Sequence, residues 1–93
     1  MSQTQPFWNI YQNAINDYRL KYSKLDKQLR VLLTIFVHQL VHEHEPQLFP
    51  HVFSCPGDDA YGFRIGDLRL LFKTEIHDLG THEERILHLI DLI

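Results

Sequence analysis

From residue 7 onward, apolar side chains recur at steps of mostly three and four: Phe7, Ile10, Tyr11, Ala14, Ile15, Tyr18 and Tyr22. That spacing predicts an amphipathic helix over residues 7–22, with Asn13, Asn16, Asp17, Arg19 and Lys21 on its polar face. Residues 1–6 read as a polar leader ending at Pro6. Ser23 has a hydroxyl suited to an N-cap, and Leu25, Leu29, Leu32, Leu33, Phe36, Val37, Leu40 and Val41 then mark the buried stripe of a second helix over residues 24–44. Pro46 stops that helix, because the residue before a proline is pushed out of the helical region. Two helices joined at Ser23 predict an antiparallel helical hairpin.

The pattern changes after residue 45. Residues 45–60 hold Pro46, Pro50 and Pro56, and Pro56-Gly57-Asp58-Asp59 is a turn signal. Leu48, Phe49, Val52 and Phe53 are apolar enough to tack this loop to a core. Alternation follows: Arg64 lies between Phe63 and Ile65, and Arg69 between Leu68 and Leu70. Gly66-Asp67 separates the two runs and suits a primed two-residue hairpin turn. The second strand is expected to run on to Ile76, with a turn over residues 77–82 and a third strand over residues 84–92. Ile86, Leu89, Ile90 and Ile93 also fit a helix, but length and hairpin context favour the strand. The expected class is α+β: an N-terminal antiparallel helical hairpin packed on a small antiparallel sheet of about three strands, one domain over residues 1–93.

Charge and cysteine content narrow the chemistry. A net charge of −3 argues against a sequence-blind nucleic-acid binder, although Arg64, Arg69 and Lys73 lie close enough to form a local basic patch. The single Cys55 cannot close an internal disulfide, which points to a reducing cytoplasm. No signal peptide is legible at the N-terminus. The longest apolar stretch, residues 31–41, is interrupted by Thr34, His38 and Gln39 and is too short to span a bilayer.

The hairpin segment also carries a resemblance. Phe63-Arg64-Ile65-Gly66-Asp67 followed by Arg69-Leu70-Leu71-Phe72 resembles the central hairpin of the RelE/ParE superfamily, the small toxins of bacterial type II toxin–antitoxin pairs. The resemblance covers residues 58–90 and is loose over residues 23–50. It implies helices packed on an antiparallel sheet, usually after an N-terminal strand, for which a helix over residues 7–22 leaves little room. It implies ribosome-dependent cleavage of messenger RNA with neither metal nor cofactor. By position, Arg69 matches the hairpin arginine that contacts the scissile phosphate, Arg64 falls near the basic residues of the preceding strand, and Lys73 is a further cation on the same arm. His88 is a general acid–base candidate, since imidazole titrates near neutrality. The implied partners are a cognate antitoxin protein and ribosome-bound mRNA. The family's closing run of His or Lys, Arg and often Tyr has no counterpart in residues 89–93, where Asp91 stands.

Other readings come from different residues. His38 and His42, one helical turn apart, are placed to chelate a metal, with His51, His77, His82 and Cys55 in loops as further donors. Gln39 occupies the position where a zinc protease carries glutamate, and histidines near a helix end are ordinarily polar-face residues favoured by the helix dipole. A non-catalytic interaction module is the alternative function. Unpaired sheet edges accept an extended partner segment, whether an antitoxin, a gyrase-type target or a second copy in a homodimer.

Overall fold

A strand opens the chain, not a helix. In the computed structural model the described residues are 6–11, 17–57 and 59–93, without the side chain of Asp17. The order is β1 (Asn9–Tyr11), α1 (Asp17–Lys24), α2 (Lys27–Val41), a single 3-10 turn (Pro46–Leu48), then β2 (Phe53–Ser54), β3 (Tyr61–Ile65), β4 (Leu68–Asp78) and β5 (Glu83–Leu92). The α+β class is as expected, but the described residues form a mixed sheet of five strands, ordered β1-β5-β4-β3-β2, in place of about three. The helices follow a strand and do not form an N-terminal hairpin. Chain path explains the order: the helices carry the chain from the β1 edge to the β2 edge, and the strands meander back until β5 meets β1 in parallel.

The helix expected over residues 7–22 divides into β1 and α1. Ala14, Ile15, Asn13 and Asn16 lie outside the described residues, as do residues 1–5 of the leader and Asp58 of the predicted turn. Long-range bonds decide the first part. The backbone N–H groups of Phe7 and Trp8 both donate to the Val41 carbonyl, at 2.7 and 2.9 Å, and the Trp8 indole donates to the Glu43 carbonyl at 2.7 Å. These acceptors lie at the end of α2, where carbonyls lack intrahelical partners. Residues 9–11 then pair with residues 86–88 of β5.

The helix cap also moves. Asp26, not Ser23, caps α2, its carboxylate accepting from the Leu29 N–H at 2.9 Å, while the Ser23 hydroxyl turns back to the Leu20 carbonyl. Helix α2 ends at Val41, short of the expected residue 44, and Pro46 starts the 3-10 turn. The Gly66-Asp67 turn joins β3 to β4, with Gly66 at φ 62 in the first central position of a primed turn. Strand β4 runs two residues beyond Ile76, so His77 and Asp78 belong to the ladder and not to the turn.

One face of the sheet carries the core. Leu70 and Phe72 on β4 and Leu87, Leu89 and Leu92 on β5 are buried against Leu33, Phe36, Val37, Leu40 and Val41 of α2. Phe36 stacks on Phe63 at 3.7 Å between centroids, with Phe49 edge-on at 5.5 Å. Strict alternation from Leu87 and Leu89 would turn Leu92 outward. A bulge, in which Phe72 faces Leu89 but Leu71 faces Asp91, inserts Ile90 and returns Leu92 to the core.

Candidate functional site on the open face of the sheet

Register and alternation settle where each predicted residue stands. Arg64 is directly opposite Arg69 across the β3–β4 pair, and Lys73 directly opposite His88 across β4–β5. Residues paired in register share a face, as do residues two apart along a strand. All four candidates therefore lie on the face opposite Leu70, Phe72, Leu87 and Leu89. Arg64, Arg69 and Lys73 are exposed and His88 is half-buried.

The four do not converge on one atom. Arg69 and Lys73 are four residues apart on β4, about 13 Å along the strand. The arginine pair thus serves one part of the face and the Lys73–His88 pair another. No carboxylate among the described residues forms an ion pair with Arg64, Arg69 or Lys73. Like charges directly opposite one another in a sheet repel, so the arginine pair is a locally uncompensated positive site in a chain of net charge −3.

At the other end an imidazole is held by a carboxylate. His88 Nε2 donates to Glu75 Oε2 at 3.1 Å, and His77 Nε2 lies 3.0 Å from Glu75 Oε1. One carboxylate thus holds two rings, leaving Nδ1 of His88 as its basic nitrogen in the neutral form. The hydrogen bonds from His77 and then His88 hold the Glu75 carboxyl below its ordinary 4.5. Tyr11, in register with His88 from β1, meets the ring edge-to-face at 5.4 Å. At the opposite edge Phe53 pairs with Gly62 and rests over it so closely that a Cβ at Gly62 would stand 2.5 Å from the ring.

Glu75 and His77, the latter named only as a loop donor to a metal, and Tyr11 and Phe53 were not among the predicted catalytic residues. The first two carried a legible signal, since Glu75 and His77 are two apart in a strand and so share a face. Tyr11 was hidden by the helical spacing of its segment.

No family model, no curated protein and no solved structure matches this chain. His38 and His42 bring their rings within 4.6 Å on α2, with His42 Nδ1 against the His38 carbonyl at 2.8 Å. No group of three or more His, Cys, Asp or Glu suited to a metal ion occurs among the described residues. A cavity of about 590 Å³ opens on the helix side, lined by Tyr18, Tyr22, Thr34, Val37 and Leu89 among others, away from the four candidates. Burial, with Tyr22 beside it, pushes the Tyr18 phenol there up to about 12. No helix among the described residues is long and apolar enough to cross a membrane.

The Glu75 contacts make a pH-dependent prediction. A carboxyl held below its ordinary value contributes stability above about pH 4.5 and loses it as pH falls through the folded value. Glu75→Gln is expected to melt below the wild type at about pH 6.5, with the gap closing towards about pH 3. A gap of unchanged size at both pH values would show that the two imidazoles do not hold the carboxylate.

Proposed function

We propose that the open sheet face is a metal-independent RNA-cleaving surface, and that the protein acts as the toxin of a type II toxin–antitoxin pair in the RelE/ParE manner. The observation that carries this reading is the alignment of Arg64 with Arg69 and of Lys73 with His88 on one solvent-facing side of the sheet. Strand β1, parallel to the last strand, adds the N-terminal strand common in that family.

Arg64 and Arg69 hold the RNA backbone through charge-assisted contacts to phosphate oxygens. Lys73 lies against the charge that grows on the reacting phosphate, a role worth most when the group is held in place beforehand. His88, oriented by Glu75, accepts the ribose 2′ proton at Nδ1. The 2′-oxygen–phosphorus bond then forms as the phosphorus–5′-oxygen bond breaks, and solvent returns a proton to the departing 5′-oxygen. Catalysis of this kind rests on positioning and electrostatics and needs no cofactor.

A partner protein completes the reading. Val31, Leu32 and Ile35 on α2 are each about half exposed, an apolar stripe suited to a covering protein in the cytoplasm. The antitoxin fills that role. In the non-catalytic alternative, this stripe is the functional surface and the sheet face is not.

Inducing the chain in a bacterial host, with protein and DNA synthesis pulse-labelled separately, tests the proposal. Protein synthesis is expected to stop within minutes. A selective stop in DNA synthesis would instead indicate a gyrase-type target, and unchanged growth with both labels intact would refute toxicity.

A further inference from the structure

The open face ends in an aromatic ring at each edge. Tyr11 stands on β1 with 52% of its surface exposed, and Phe53 on β2 with 39% exposed. Both belong to the cationic face, because Tyr11 pairs with His88 and Phe53 with Gly62, which lies two residues from Arg64. Between them the five-strand order places the edges four strand spacings apart, about 19 Å. Such a width fits an extended chain lying across the strands better than a small ligand.

The acidic groups that β4 and β5 place on this face are already engaged or stand at its far end. Glu75 accepts from His77 and His88, and Asp91 is paired with Lys21 at 3.0 Å. Glu84 lies opposite His77, near the end of the β4–β5 ribbon remote from the arginines. Arg64, Arg69 and Lys73 are left without a carboxylate among the described residues. Cations that follow a backbone, flanked by exposed rings on which bases can stack, are the means by which proteins hold single-stranded nucleic acid.

We propose that Tyr11 is a base-stacking platform for single-stranded RNA crossing this face. The strand runs from the Arg64–Arg69 pair to the β1 edge, where one base stacks on Tyr11 and its ribose meets His88. Tyr11 is thus a binding residue that positions one nucleotide against the imidazole, whatever its base. The inference rests on reading this face as the RNA site, and goes beyond it by naming the strandedness of the ligand and the residue on which a base stacks. An aromatic ring tolerates any base, so the platform favours unpaired RNA without selecting a sequence.

The test is fluorescence anisotropy with the full chain and a labelled, 2′-O-methylated RNA of about eight nucleotides, a length within the usual site size of such surfaces. Inorganic polyphosphate competes as a probe with charge but no bases. Tyr11→Ala is expected to weaken RNA binding about ten-fold and leave polyphosphate competition unchanged, and Tyr11→Trp to restore RNA binding. Arg69→Ala weakens both, and a duplex of the same sequence binds less tightly than the single strand. Thermal melts of each variant show that the fold is intact. Equal RNA affinity for Tyr11→Ala and wild type, or a parallel loss on polyphosphate, overturns the platform. So does a wild type that binds no RNA while capturing a protein through this face. If translation arrest fails but the Tyr11 dependence holds, the cleavage reading falls and the platform stands. If arrest occurs with Tyr11→Ala binding like wild type, the platform alone falls.

Discussion

Replacing Arg69 with alanine is expected to lower RNA cleavage about 30-fold, the scale of one lost charge-assisted contact to the RNA backbone, worth about 2 kcal/mol. Translation arrest on induction should disappear with it. The fold should not suffer, because the guanidinium is exposed and faces Arg64 directly. Removing one of two opposed like charges relieves repulsion, so the melting temperature is expected to hold or rise slightly. Activity lost with stability kept separates a functional arginine from a structural one. Arg69→Lys restores only part of the activity, since an ammonium cannot offer the two parallel bonds of a guanidinium. Pulse-labelling of protein synthesis and in vitro translation both measure the outcome. If Arg69→Ala arrests translation as the wild type does, the arginine pair has no part in cleavage.

The largest effect on stability is expected at Trp8. Its side chain is only 4% exposed, its indole donates to Glu43, and its backbone N–H shares the Val41 carbonyl with Phe7. Truncation to alanine empties a large volume between the N-terminal segment and the end of α2, and costs about 3–5 kcal/mol. A domain of this size has about 5–15 kcal/mol in all, so much of its margin is lost. Trp8→Phe keeps most of the apolar contact and removes the indole bond, with a loss of about 1 kcal/mol. Urea unfolding followed by far-UV circular dichroism measures both variants without needing tryptophan fluorescence. A loss below about 1 kcal/mol for Trp8→Ala would show that β1 docks independently of the indole anchor.

The hairpin was legible because its signals are local and agree. Glycine at the first turn position, alternation on both arms, and a two-residue loop all specify the same register, and the pairing of Ile65 with Leu68 follows. The same alternation placed Arg64, Arg69 and Lys73 on the face away from the core. The last segment was harder, and one feature explains why. The bulge at Ile90 gives β5 a three-residue step from Leu89 to Leu92, which mimics helical spacing within a strand.

Residues 7–22 misled for a related reason. Trp8 and Ile10 alternate with Asn9 and Tyr11 as a strand requires, yet Phe7, Ile10, Tyr11 and Tyr18 also satisfy a helical stripe. Over three residues the two periods cannot be separated by pattern. Contacts far along the chain decide between them: the Val41 carbonyl draws in Phe7 and Trp8, and β5 accepts residues 9–11 in parallel. Ser23 suggests a cap by its hydroxyl alone, whereas the helix began at Asp26, where a carboxylate met the Leu29 N–H.

The sequence by itself determined the α+β class, the second helix, the central hairpin and the side of it on which the cations stand. All of these follow from periodicity and turn chemistry within a dozen or so neighbouring residues. Only the tertiary structure decided that the sheet has five strands, that β1 closes against β5, and that Tyr11, Glu75 and His77 gather around His88. Those arrangements join residues up to 77 positions apart, as Tyr11 and His88 are, and no local spacing encodes such a pairing before the core has formed.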